Sequence, residues 1–261
     1  MSSRSQVLIV SDASRTEHNL VREIHLLLGS ERISLKGLFI EDEEVLRATG
    51  LPIVKEVSHA GEVRDLTQDR LRQEFLQVAS SLKHTLSNIA NEMGYSSSFE
   101  VVKGSHSVEL ARAAADVDFV VFARAHLPGY LRPRRGPDLV PLLSQAKSLL
   151  VVNEPWLSGR SVVVVYEGMA SAEALRLAGG YARSAALDLI VVTPEGAQNP
   201  EEEAYATAQQ VEMECTESAL ATLCQARDAR LLVFSHSDSL QLANMLPELV
   251  DRVPCSILRL A

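Results

Sequence analysis

Short apolar runs alternate with helical segments along the whole chain, and this alternation constrains the fold more than any other feature of the sequence. The first run, residues 7–10, reads Val-Leu-Ile-Val and ends at Ser11. An unbroken apolar run of this length is typical of a parallel strand buried on both faces. Further strand-like runs lie at residues 35–40, 99–102, 119–122 and 149–152. Strands separated by helical segments predict a mostly parallel sheet covered by helices on both faces, which is the α/β class.

The longest helical pattern lies between the second and the third of these runs. Apolar residues step by three or four positions from Leu71 to Met93, and Gly94 follows the pattern. Such spacing places the apolar side chains on one face of a helix. The sequence therefore predicts a long amphipathic helix over residues 63–93.

The order of elements begins again after residues 153–159, which contain Pro155 and Gly159 and are typical of a linker. Strand-like runs then recur at residues 162–165, 189–192, 211–215, 231–234 and 256–260. A short segment, residues 202–209, stands where the first part has its long helix. The repeat predicts two domains, residues 1–153 and residues 160–261, of which the second is shortened.

Charge and composition exclude several classes of function. The formal net charge is -9, which opposes binding to nucleic acid or to an anionic membrane surface. The sequence has no apolar stretch long enough to span a bilayer and no signal-like start, and its three cysteines lack C-x-x-C spacing. We therefore expect a cytoplasmic protein with reduced thiols. The seven histidines show no H-x3-H pair, so we expect no zinc site.

Three local patterns carry a resemblance to a known family. The first strand ends in an acidic residue, Asp12; a later strand ends at Gly104; and a helix runs into the Asp-led strand that starts after Asp118. In this order the patterns resemble the universal stress protein family, and the resemblance covers nearly the whole chain. It implies two flavodoxin-like, adenine-nucleotide α-hydrolase-like sandwiches, each with a five-stranded, mostly parallel sheet. It also implies that residues 149–152 and 256–260 pair within one chain, as an intramolecular pseudo-dimer.

The resemblance places a ligand motif after the fourth strand of each domain. Nucleotide-binding members carry G-x-x-G-x9-G-[ST], in which glycines let backbone N–H groups approach phosphates. The matching positions in the first domain are Ala123, His126, Gly136 and Pro137. One glycine of three is kept, and Pro137 offers neither an N–H donor nor a hydroxyl. This departure argues against ordinary ATP binding.

An arginine-rich segment occupies the same loop and leaves a second possibility open. Arg124 and Arg135 belong to it, and guanidinium groups could replace backbone donors toward an anion. A solvated basic loop without a ligand is the alternative. The candidate binding residues for ATP, ADP or another anion are Asp12, Ile40, Gly104, Ala123, Arg124, His126, Arg135 and Gly136.

The second domain has a different loop. Residues 235–239 read Ser-His-Ser-Asp-Ser, without glycine, and Glu167 stands near the position that Asp12 has in the first domain. A phosphate would meet negative charge there. Neighbouring Ser, His and Asp residues rarely project to one point, and no G-x-S-x-G turn occurs. We therefore expect no catalytic residues.

The sequence favours a non-enzymatic stress-response or regulatory protein that acts through protein partners or a small anionic ligand. The first alternative is a nucleotide-binding protein with slow ATP hydrolysis in the first domain. The second is a structural interaction protein with both sites inactive. Association of two chains into a homodimer is left open.

Overall fold

The computed structural model describes residues 5–10, 17–28, 33–48, 55–57, 63–65, 67–123, 145–153, 158–197, 200, 208–235 and 245–261. Its strands are β1 Ser5–Val10, β2 Ile33–Asp42, β3 Lys55–Val57, β4 Val63–Asp65, β5 Ser96–Gly104, β6 Phe119–Ala123, β7 Ser148–Val152, β8 Ser161–Val165, β9 Asp188–Pro194, β10 Gln209–Met213, β11 Ala229–Ser235 and β12 Ser256–Leu260. Its helices are α1 Glu17–Leu28, α2 Glu43–Ala48, α3 Gln68–Met93, α4 His106–Ala115, α5 Ala172–Ala185, α6 Glu217–Ala226 and α7 Leu246–Arg252.

Ten of these strands form one continuous sheet in the order β10-β9-β8-β11-β12-β7-β6-β1-β2-β5. Neighbouring strands run parallel throughout, except β7 and β12, which run antiparallel. The remaining two strands, β3 and β4, pair with each other in a separate antiparallel ribbon. The α/β class and the mostly parallel sheet are confirmed.

The strand order divides the sheet into two halves of equal topology. We call β1, β2, β5, β6 and β7 the first half and β8 to β12 the second half. In each half the chain moves outward from the first strand and then returns to its other side. This reversal creates a topological switch point, between β1 and β6 in the first half and between β8 and β11 in the second. The division into domains 1–153 and 160–261 stays a prediction.

The sequence-based expectation of two separate five-stranded sandwiches is wrong, because the two halves share one sheet. Leu150 of β7 lies opposite Leu258 of β12, and Leu149 lies opposite Arg259. Both strands are buried along their whole length. An apolar edge strand leaves its N–H and C=O groups unmatched, so hydrogen bonding between two such edges removes both of them. The predicted pairing of residues 149–152 with 256–260 is therefore the junction of a ten-stranded sheet.

Alternate side chains of the strands pack in two apolar layers, one on each face of the sheet. Val7 and Ile9 point into the layer beneath α1, α3 and α5. Leu8 points into the opposite layer, beneath α4, α6 and α7. Each layer contains residues from both halves, so the hydrophobic core is continuous across the junction.

The long helix starts later than the apolar pattern suggested. It spans Gln68–Met93, and the hydroxyl of Thr67 accepts a hydrogen bond from Arg70 N at 3.4 Å. This N-cap fixes the start, because the hydroxyl satisfies a backbone donor that the helix leaves open. Val63 pairs instead with Val57 in the small ribbon. Gly94 ends the helix in a left-handed conformation, φ 71°, as predicted from its place after the apolar pattern.

None of the helices in the described ranges is both long and apolar enough to cross a membrane.

Candidate functional site

The switch point of the first half is the candidate site. Val10 of β1 lies beside Phe122 of β6, so both strands end at the same edge of the sheet. On the other side of β1, Asp42 of β2 lies beside Gly104 of β5. Ligands of open α/β sheets bind at such an edge, beyond the carboxyl ends of the strands.

The structure describes three of the predicted binding residues. Ile40 is buried, and its side chain packs in the apolar layer beneath α4, which indicates a packing role. Gly104 ends β5, and a Cβ atom placed there would lie 2.9 Å from Cγ of Glu109. Ala123 is the last residue of β6. The other predicted binding residues, Asp12, Arg124, His126, Arg135 and Gly136, lie outside the described residues.

An acidic residue that the sequence analysis did not select lies at this edge. Glu41, near the end of β2, is buried. The ammonium group of Lys103 lies 3.6 Å from its carboxylate. The signal in the sequence is the acidic pair Glu41-Asp42 directly after an apolar run. A carboxylate therefore stands on the β2 side of this edge, and the arginine-rich segment follows β6 in the sequence.

The switch point of the second half is built differently. Glu167 follows β8, and its backbone N–H donates to the hydroxyl of Ser171 at 3.1 Å. Thr193 and Ser235, at the ends of β9 and β11, are buried. Burial and the nearby carboxylate of Glu167 raise the pKa of the Cys215 thiol to about 11. Among the described residues this edge therefore combines a carboxylate with hydroxyl and thiol groups, and those residues offer no positive charge to an anion.

The two switch points lie at opposite edges of the sheet. Since β7 and β12 run antiparallel, the carboxyl ends of the first half are on the same side as the amino ends of the second half. One small ligand therefore cannot contact both switch points. The described residues also include no group of three or more His, Cys, Asp or Glu side chains that could hold a metal ion.

A pocket between the two halves was not predicted at all. It has a volume of about 300 Å³ including its open mouth, and it lies between α1 and α5, which pack against each other. It is lined by the apolar side chains of Leu27, Leu150 and Leu231 and by the polar side chains of Glu23, Tyr181, Arg230 and Ser256.

A chain of hydrogen bonds crosses this pocket. The hydroxyl of Tyr181 donates to the carboxylate of Glu23 and accepts from Arg230. Burial, followed by the contact with Glu23, raises the pKa of Tyr181 well above its usual range. No local pattern could have revealed this network, because Glu23 and Tyr181 are 158 residues apart in the sequence.

The fold and the two switch points define a doubly wound α/β protein in which two five-stranded halves share one sheet. No protein-family model matches the sequence, and no curated protein matches it either. Solved structures do match. A universal stress protein from Archaeoglobus fulgidus DSM 4304 aligns with a TM-score of 0.59 and 12% sequence identity, over 98% of this chain and 95% of that chain.

Two proteins of Pseudomonas aeruginosa are similar as well. One, from strain UCBPP-PA14 and provisionally described as a universal stress protein, has a TM-score of 0.53 and 17% identity, over 98% of this chain and 92% of the other. A functionally unknown protein from strain PAO1 has a TM-score of 0.55 and 14% identity, over the same shares. At these identities the likeness concerns the fold: the chain has the fold of universal stress protein structures.

Proposed function

We propose that this protein is a non-enzymatic, universal stress protein-like regulatory module of the cytoplasm. It acts through protein partners or through a small anionic ligand held at the switch point of the first half. The observation that carries the proposal is the structural alignment with the Archaeoglobus fulgidus universal stress protein, which extends over 98% of this chain.

The charge distribution favours the first half as the ligand-binding half. The segment that follows β6 contains Arg124, Arg132, Arg134 and Arg135. Guanidinium groups form bidentate hydrogen bonds with phosphate and carboxylate groups. Both switch points carry a carboxylate, Glu41 in the first half and Glu167 in the second, and a carboxylate repels an anion, so the arginines are what distinguishes the first half.

The degenerate glycine pattern supports a ligand-responsive module over an ATP-hydrolysing enzyme. A backbone cradle for phosphates needs N–H groups that can approach the ligand closely. Only Gly136 remains of the three glycine positions, and Pro137 has no N–H group. The arginines can attract an anion without supplying such a cradle.

A nucleotide-binding protein with slow ATP hydrolysis is the second candidate. Asp12, two residues after the end of β1 in the sequence, favours it, because the resemblance assigns an adenosine contact to this position. In this case the same arginines would bind the phosphates.

The decisive experiment is a calorimetric titration of the purified full chain with ATP and, separately, with inorganic phosphate. Chromatography of the denatured protein first shows whether a nucleotide was purified with it. We expect saturable binding of at least one of the two anions. Each arginine that contacts a phosphate should contribute about 1.5–3 kcal/mol, so Arg124→Ala with Arg135→Ala should abolish measurable binding.

Arg160→Ala is the matched control. Arg160 is exposed, belongs to the second half and pairs with Asp228 at 3.4 Å, so its removal should leave the titration unchanged. Phosphate release from ATP separates the two candidates, since only the second predicts turnover. Absence of binding by either anion would refute the ligand and leave protein partners as the route of action.

A further inference from the structure

Two buried charges, Glu23 and Arg259, lie at the junction between the two halves. Among the described residues the buried charged side chains are Glu23, Glu41 and Arg259. Glu23 lines the pocket between α1 and α5, and Arg259 belongs to β12, which pairs with β7. Removing a charge from water is costly, and well-packed apolar residues would stabilise such a junction at least as well. Buried charges at such a junction are therefore weak evidence for stability, and their polar contacts are candidates for a regulatory role.

On the face that carries α1 and α5, the contact is the hydrogen-bonded chain Glu23–Tyr181–Arg230. Glu23 belongs to the first half, and Tyr181 and Arg230 belong to the second. The chain joins α1 directly to α5 and, through Arg230, to the start of β11. Hydrogen bonds of a carboxylate inside an apolar layer are stronger than those in water, but they tolerate the loss of a member poorly.

Along the strand pair and the opposite face, the contacts are reciprocal. Nη2 of Arg259 donates to the carbonyl of Ala146 at 2.5 Å. Nδ2 of Asn153 donates to the carbonyl of Pro254 at 2.5 Å. Ala146 and Pro254 each stand two residues before the last strand of their half. Each half therefore binds the other at an equivalent backbone position, and these bonds flank the β7–β12 pair.

We propose that the Glu23–Tyr181–Arg230 chain is a latch that couples the local opening of α1 to that of α5. With the latch closed, the two helices open only together. With the latch broken, α1 and α5 separate over the pocket, while the β7–β12 pair and its flanking bonds keep the halves attached. The contact between α1 and α5, which we call the seam, thus has two states that the latch controls, and the sheet stays intact in both.

The position of α1 gives this seam a regulatory meaning. The helix is the element that follows β1, whose carboxyl end forms part of the switch point of the first half, and it packs against α5 of the second half. An event at the first switch point and a change at α5 are joined through one rigid element. The latch itself does not depend on the proposed ligand.

Hydrogen exchange measured by mass spectrometry on the full chain tests the latch. Tyr181→Phe removes the hydroxyl that both binds Glu23 and accepts from Arg230. We expect the amides of α1 and α5 to exchange at least about tenfold faster in this variant, while the amides of β7 and β12 keep their protection. Tyr166→Phe is the matched control, because Tyr166 is buried in the same apolar layer but does not line the pocket, and it should leave the rates of α1 and α5 unchanged.

Glu23→Gln is the second variant, and it keeps the test informative if Tyr181→Phe does not fold. Its amide oxygen still accepts from Tyr181, so the acceleration should affect the same two helices and be smaller than in Tyr181→Phe. Unchanged exchange in α1 and α5 of both variants would overturn the proposal. Equal acceleration in the central strands β1 and β8 would also overturn it, because that result describes a general loss of stability.

Discussion

The two halves of the sheet have the same strand order but different chemistry at their switch points. In the first half an arginine-rich segment follows β6. In the second half Glu167 follows β8, and Cys215, Thr193 and Ser235 are buried around that edge. The strand order depends on apolar runs inside the strands, whereas the chemistry depends on the residues just beyond them. A shared scaffold therefore does not imply a shared function, and each edge has to be judged by its own side chains.

The halves also differ in the way one layer is filled. Gly37 of β2 lies opposite Ile9 of β1, and Val191 of β9 lies opposite Val164 of β8, so Gly37 and Val191 occupy equivalent places. In the first half α3 packs over β2, and a Cβ atom on Gly37 would lie 2.7 Å from Cδ2 of Leu86. The second half has a fully buried valine at this place. The close approach of the long helix α3 therefore requires a glycine at this place.

The largest expected effect tests whether the halves are stable independently. Phe234 in β11 is fully buried, and Phe234→Ala should lower the free energy of unfolding by about 3–5 kcal/mol because it leaves a cavity. Since both apolar layers continue across the junction, we expect one urea transition that moves as a whole. Two transitions, of which only one moves, would show that the halves unfold independently.

A smaller effect is expected when the first half is given the residue of the second. Gly37→Val should cost about 1–3 kcal/mol, because the added atoms meet Leu86 and Phe99. Urea unfolding measures the loss. Val191→Ala, which shortens the equivalent residue without adding atoms, is the control for a change of volume at this place. If Gly37→Val were neutral, the glycine would not be required for the packing of α3.

Alkaline pH should weaken the seam between the halves. The pKa of Tyr181 is raised in the folded state from its ordinary value of about 10, so its contribution to stability is complete below pH 10. It is lost as the pH rises further, because the unfolded state ionises first. The expected slope is about 1.4 kcal/mol per pH unit for one proton.

Urea unfolding between about pH 8 and pH 11 measures this slope. Tyr181→Phe should flatten it relative to the unsubstituted chain. Some slope should remain in the Tyr181 variant, because burial also raises the pKa of Tyr95. Equal slopes in the variant and the unsubstituted chain would show that Tyr181 does not ionise differently in the two states.

The smallest effect concerns two equivalent residues of opposite charge. Phe119 of β6 pairs with Ser148, and Leu231 of β11 pairs with the equivalent Ser256. The residues just before them, Asp118 and Arg230, therefore occupy equivalent places. Asp118 pairs with Lys147 at 3.1 Å and is 39% exposed, so Asp118→Asn should cost no more than about 1 kcal/mol at neutral pH.

The pH dependence of this small effect has a defined sign. Burial acts to raise the pKa of Asp118, but hydrogen bonds from Gln6 N and Lys147 hold it below its usual value. Its contribution is therefore present at neutral pH and is lost as the pH falls through the folded pKa. Urea unfolding at pH 7 and in acid checks this expectation, with the exposed neighbour Asp116→Asn as control. A difference between the variants that persists in strong acid would contradict it.

The parts of the fold that depend on local patterns could be predicted from the sequence. The apolar runs predicted the strands of the sheet, and Gly94 predicted the end of α3. The start of α3 was wrong because an N-cap at Thr67 and the pairing of Val63 with Val57 outweigh the apolar spacing. The N-cap and the β3–β4 ribbon depend on contacts that the spacing of apolar residues does not describe.

The candidate sites were harder to predict, because they combine residues that are distant in the sequence. Glu41 was missed although its acidic pair follows a strand, because the resemblance places the ligand motif in the loop after β6. The Glu23–Tyr181 contact has no local signal at all. Ile40 stays a predicted binding residue, and its side chain packs in the core.

The central position of β7 and β12 has a consequence for synthesis on the ribosome. β12 begins at Ser256, long after β7 has ended at Val152. Until those later residues emerge, a nascent chain holds an apolar strand edge with no neighbour. Such an edge can pair with other chains. Conditions that slow translation through residues 153–255 should therefore favour aggregation of the unfinished chain, even though the completed protein buries this edge inside its sheet.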